Sequence, residues 1–176
     1  MSGAHLNPVV SVADGVFGGL RPREVIAYVI AQVAGAAVGV IVANLMFSLP
    51  AVSVSSHVRS SAGLWLGEVI ATFGLLLVVF GVVRSGRAAT APFAVGAYIT
   101  AAYFFTSSTS FANPAVTLAR TLSDTFAGIA PGSVLPFVLA QLLGAALACA
   151  AARFLWPLVN DAADVVVPHE QEAGVG

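Results

Sequence analysis

Charge is what this sequence has least of. Only 9% of its 176 residues are charged and 59% are hydrophobic, where a soluble domain carries about 25% charged and about 45–50% apolar residues. Lysine is absent: all 7 basic residues are arginines, and 8 acids bring the formal net charge to -1. No basic stripe exists to hold phosphates, so the chain is not read as a nucleic-acid binder. Cysteine is nearly absent too. The single Cys149 lies inside an apolar run, where a small packing side chain is the bland reading; no disulfide can form within the chain and no metal site or cofactor is expected. The N-terminal run MSGAHLNPVVSV has neither a basic n-region nor an apolar h-region, and reads as an interior segment rather than a signal peptide. Charge this scarce is expected where most positions face lipid or a packed helix bundle.

The apolar residues gather in four long stretches: 25–47, counted as a span from about residue 22, then 62–83, 88–106 and 134–156. Each can cross about 30 Å of hydrocarbon as a helix rising about 1.5 Å per residue. Lipid favours helices because every backbone polar group must be satisfied internally, and the stretches are too long and uniformly apolar for barrel strands. The expected fold class is an all-α membrane protein, multi-pass, with the lipid bilayer as a partner. Small residues recur at Gly35–Gly39 and Gly144–Ala148, a spacing that lets helices approach closely. From Pro157 onward the tail 157–176 is polar and acidic by comparison. Arg21, Arg23, Arg84, Arg87 and Arg153 fall on alternate loops, with Arg59 and Arg120 on the other side. The positive-inside rule places the first set, and with it the C-terminus, in the cytoplasm.

Two shorter segments break the pattern, about 8–18 and about 114–124. Each follows an Asn-Pro dipeptide, and Pro is favourable at a first helical position because the N–H it lacks would go unpaired there. Both are too short to span and read as half-helices. The first is followed by VIAYVIAQVAGAAVG at 25–39 and the second by VLPFVLAQLLGAALA at 134–148; 7 of these 15 aligned positions are identical, Gln32/Gln141 and Gly35/Gly144 among them. A unit of half-helix, loop and span therefore occurs twice. Three spans separate the Asn-Pro motifs, and an odd number of crossings inverts the second copy, which is the signature of inverted repeats whose broken helices meet near the midplane. The second copy has two spans ahead of its Asn-Pro and the first has none, so by symmetry two spans, roughly 50–60 residues, are expected upstream.

Half-helices entering from opposite faces bring their N-termini together, each with unpaired N–H groups and about half a positive charge. Asn7 and Asn113 are placed to cap these ends and to present amide donors to a central lumen. Positive helix ends repel cations, and a proton wire is interrupted where each oxygen must accept from an asparagine.

SGAHLNPVVS and SFANPAVTLAR resemble the paired boxes of the aquaporin/glycerol-facilitator, or major intrinsic protein, family, and the resemblance covers nearly the whole chain. It implies an aquaporin-like inverted repeat within one channel domain over 1–156, N-terminally incomplete, in which Asn7, Pro8, Val9, Asn113, Pro114 and Ala115 line a pore. It also implies a homotetramer when full-length, in the cell inner (plasma) membrane, with no enzymatic role. His5 would support the first re-entrant loop or pack against the absent helices, and Glu68 in LGEVIATF would accept backbone N–H groups from a re-entrant loop. The first box ends in Val9 where the family has Ala. The family's filter arginine after the second box is replaced by Val116; Arg120, one helical turn further along, does not fill that place. Losing the guanidinium widens the constriction and makes it less polar. The other filter position is Ala101, counting back from the second box, or Tyr103, counting forward from Ala91-Pro92. NPAVTLAR followed by SDTFAGIAPGSV, with the run Tyr103 to Ser110, resembles a bacterial branch associated with arsenic resistance, which implies passage of small neutral solutes such as arsenite. Two alternatives stand beside it: an ordinary water or glycerol pore, and a truncated non-conducting membrane protein or small exporter. Gln32 and Gln141 are expected to bond between helices, Asp124 to cap or pair near Arg120, and Trp65 and Trp156 to anchor span ends at the interface. Without the two upstream spans, the 176-residue chain is expected to form no sealed pore.

Overall fold

The computed structural model describes residues 5–156; the tail 157–176 and the placement of the C-terminus lie outside them. Among the described residues every regular element is a helix: α1 (Pro8–Val16), α2 (Pro22–Met46), α3 (Ala62–Arg84), a 3₁₀ turn Ala88–Thr90 leading into α4 (Ala91–Phe105), α5 (Pro114–Ala119) with a 3₁₀ turn Arg120–Leu122, and α6 (Pro131–Leu155). Proline opens five of the six α-helices within their first two positions, where its fixed φ suits the helix. The sixth, α3, is capped instead by the Ser61 hydroxyl, which accepts from Leu64 N–H at 3.3 Å. The α2 entry carries a capping box, with Arg21 N–H donating to Glu24 Oε2 at 2.7 Å.

Among the described residues, four helices are long and apolar enough to cross a membrane: α2, α3, α6, and α4 with its leading 3₁₀ turn. Most of α2 is exposed apolar surface, and its one buried residue is Asn44, as expected of a helix whose solvent is lipid. The core sits instead where α1 and α6 meet α3. Val9 and Val10 of α1, Leu76 and Phe80 of α3, and Ala145 and Ala148 of α6 form one cluster, with Phe17 edge-on to Phe80 at 5.2 Å. A second cluster joins Phe111, Ile129 and Phe137.

The α3–α6 pair owes its closeness to Gly144. A Cβ there would come within 2.5 Å of the Val69 carbonyl and 3.1 Å of Thr72 Cβ. Gly35, its repeat partner, differs, as does Gly39: a Cβ on either meets nothing within 4 Å among the described residues. Sequence similarity between the two long helices therefore does not carry equal packing.

Both half-helices are shorter than their sequence suggests. α1 stops at Val16 because Gly18, at φ +89°, turns the chain out of the helix. α5 ends at Ala119, where the chain tightens into the 3₁₀ turn and a loop pairs with that turn: Ser55 N–H donates to the Thr121 carbonyl at 2.9 Å, and Ser53 N–H to that of Leu122 at 3.0 Å. At the other extreme, α6 starts at Pro131, a turn earlier than the apolar run alone indicates.

Candidate functional site

The N-termini of α1 and α5 face each other, and the two asparagines bind across the gap. Asn7 Oδ1 caps its own helix, accepting from Val9 N–H at 3.1 Å. Its Nδ2 crosses to donate to the Ala112 carbonyl at 2.8 Å. Asn113 repeats this in mirror fashion: Oδ1 accepts from Ala115 and Val116 N–H at 2.9 and 3.2 Å, and Nδ2 donates to the Leu6 carbonyl at 2.9 Å. An amide nitrogen has two hydrogens, so each asparagine keeps one N–H for a third party.

The residue before each asparagine is left-handed, Leu6 at φ 54° and Ala112 at φ 47°. Neither is glycine, so each conformation costs about 1 kcal/mol or more. It turns the Leu6 and Ala112 carbonyls toward the opposite asparagine, which is how the cross-bonds form. Glu68 holds the second of these turns. Its fully buried carboxylate accepts from Phe111 N–H at 2.9 Å, Ala112 N–H at 2.8 Å and Gln141 Nε2 at 2.6 Å. A buried carboxylate is tolerable only with such donors around it.

The repeat extends into the supporting side chains. Four residues after each asparagine stands a hydroxyl, Ser11 or Thr117. Each accepts from the glutamine of the neighbouring long helix, Gln32 at 2.9 Å and Gln141 at 2.8 Å. On the first side, His5 Nδ1 lies 3.1 Å from Ser11 Oγ, the ring stacks on Tyr28 at 4.9 Å, and Nε2 is 3.8 Å from the buried Asp14 carboxylate. His5 thus sits against α1 and α2.

An open groove of about 920 Å³ runs past both asparagines. His5, Asn7, Asn113, Val116 and Tyr103 line it, as does Arg120. Ala101 is exposed and does not line it. Pro8, Val9, Pro114 and Ala115 are buried at the starts of the half-helices, behind the asparagines.

Arg59 is a participant that pattern reading overlooked. Only 4% exposed, it donates through Nε to the Gly128 carbonyl at 2.7 Å, through Nη2 to that of Phe126 at 2.8 Å and through Nη1 to that of Ser108 at 3.2 Å. Its guanidinium also lies 4.9 Å from the centre of the Phe111 ring. Burial lowers its pKa from the ordinary arginine value. A lone arginine in a serine-rich loop carries no motif that would have marked it. Asp124 does not pair with Arg120; it accepts from Ser56 N–H at 2.8 Å and Ser56 Oγ at 3.0 Å, and the backbone bond holds its carboxyl below the usual range. Those donors are closer than the guanidinium because the 53–56 loop pairs directly with the end of α5. Trp65 packs on the Phe111 cluster and Trp156 on the main core.

The sequence model of the major intrinsic protein family matches residues 1–112. The chain belongs to that family. Among relatives of this major intrinsic protein, aquaglyceroporin AqpS of Rhizobium meliloti (strain 1021) is 52% identical over 155 residues, 88% of this chain and 66% of that protein. The probable aquaporin AqpM of Archaeoglobus fulgidus is 33% identical over 166 residues, 84% of this chain and 65% of that protein. A glycerol uptake facilitator protein of Streptococcus pneumoniae (strain ATCC BAA-255 / R6) is 31% identical over 112 residues, 56% of this chain and 48% of that protein. The chain thus spans about two thirds or less of the length of these relatives. No solved structure gives a significant match.

Proposed function

We propose that this multi-pass membrane protein belongs to a passive channel for small neutral solutes, with arsenite and related metalloid hydroxides as substrates and water or glycerol passing as well. The observation that carries the reading is the asparagine bridge. Two half-helix N-termini are tied together by reciprocal bonds to the Leu6 and Ala112 carbonyls, and each amide keeps an N–H beside the groove. A neutral hydroxylated solute accepts from these donors with no charge to desolvate. A cation meets the positive ends of two helices, and a proton finds its relay interrupted.

Val116 supports the metalloid preference. It borders the groove with an apolar side chain where the family's filter carries a guanidinium, and Tyr103, the other filter candidate, lines the same groove. A wider, less polar constriction admits a trihydroxide that a water-selective filter rejects. The proposed assembly is a homotetramer in the plasma membrane with the C-terminus in the cytoplasm, the side on which the arginine bias places it.

The names of the glycerol-facilitator and aquaporin relatives favour a second reading, an ordinary water or glycerol pore. Val116→Arg separates the two in vesicles bearing the complete gene product. On the metalloid reading, V116R lowers arsenite and glycerol uptake about tenfold or more while water flux persists. On the second reading, native vesicles take up glycerol but no arsenite above empty ones, and V116R alters solute size selectivity little. Native flux of arsenite, glycerol and water no faster than in empty vesicles would overturn both.

A further inference from the structure

Arg120 and Arg59 share one aromatic ring but differ in what their donors do. The Arg59 guanidinium is 4.9 Å from the Phe111 centroid and that of Arg120 is 5.9 Å from it. Arg59 is buried, and its N–H groups go to the Gly128, Phe126 and Ser108 carbonyls. Arg120 is half-buried, lines the groove, and donates no side-chain hydrogen bond to another described residue. Neighbouring carboxylates are engaged elsewhere. Glu68 accepts from Phe111, Ala112 and Gln141, and Asp124 accepts from Ser56. Among the described residues, Arg120 forms no ion pair.

Its position is fixed by its backbone. The Arg120 carbonyl accepts from Ile129 N–H at 3.3 Å, and the next two carbonyls, of Thr121 and Leu122, are bound by Ser55 and Ser53. The loops that end α5 therefore hold this residue at the groove, one turn beyond Val116. Arg59 fills the carbonyl-binding role that a structural guanidinium would take, and that leaves the fork of Arg120 open to the groove.

We propose that Arg120 is a specificity-determining residue of the channel: its guanidinium donates to the oxygens of neutral hydroxylated solutes at the groove mouth and turns away organic and ammonium cations. This rests on the channel reading above. Arg120 does not restore the filter at 116. It places a permanent positive charge a helical turn further out, so that an apolar, wide constriction is still guarded against cations. A guanidinium suits both tasks because it never deprotonates in proteins and presents up to five donors in a plane.

Vesicles carrying the complete gene product test this by uptake of methylammonium and of glycerol in parallel. Arg120→Gln removes the charge and keeps a polar side chain, and is expected to raise the methylammonium-to-glycerol ratio about tenfold or more. Arg120→Lys keeps the charge and is expected to leave that ratio within about twofold of native while slowing glycerol, since the planar fork is lost. A ratio unchanged in R120Q, or R120K matching R120Q, overturns the inference while leaving a conducting native channel intact. Native vesicles that take up no glycerol or arsenite overturn the channel reading and this inference together. Phenylglyoxal treatment of native protein gives a readout that does not depend on variants folding. Labelling at Arg120 with a rise in the ratio supports the assignment, and labelling that spares Arg120 contradicts it.

Discussion

Glu68 shows how much one residue carries. It is a fully buried carboxylate in an apolar helix, and its three donors include the N–H of left-handed Ala112. Glu68→Gln turns one acceptor into an NH₂ that must face Phe111 or Ala112 N–H, donor against donor. The expected cost is about 2–3 kcal/mol, read as a lower melting temperature of the detergent-solubilised protein, with loss of solute flux as the 111–113 turn relaxes. The role was legible from sequence because an acid inside an apolar span needs donors, and the re-entrant loop was the one source of free N–H groups. The left-handed Leu6 and Ala112 were not legible, since neither residue type favours that region. Arg59 was not legible for a related reason: its partners are backbone carbonyls, which leave no trace in side-chain identity.

The elements follow the same division. Apolar length and the Asn-Pro openings specify the four long helices and the two half-helices, because lipid and proline act locally on them. The half-helices stop for two different reasons, Gly18 turning the chain out of α1 and the Ser53 and Ser55 N–H groups pairing with the 3₁₀ turn that follows α5, so their C-terminal ends fall short of the sequence expectation. The matched glycines make the point energetically. Gly144→Ala forces a Cβ against the Val69 carbonyl and Thr72, and overpacking of this kind costs about 1–3 kcal/mol. Gly35→Ala meets open space and gains helix propensity, up to about 1 kcal/mol. Melting of the two variants beside native protein should therefore move in opposite directions. Equal shifts would show that the repeat packs both glycines alike.

At the scale of the molecule, an inverted repeat is converted into one site. Ser11 with Gln32 mirrors Thr117 with Gln141, and Asn7 mirrors Asn113, so each half supplies a capped helix end and the two halves tie these ends together. The groove they border is lined by amides, hydroxyls and apolar side chains, together with Arg120. The central claim is that the asparagine bridge passes neutral solutes and stops protons. It is tested most directly by vesicles that bear the complete gene product and a trapped pH dye, under an inward glycerol gradient and an imposed pH step. Swelling faster than in empty vesicles, with the pH step decaying no faster, is the predicted result. No added swelling, or swelling accompanied by rapid collapse of the pH step, would contradict it.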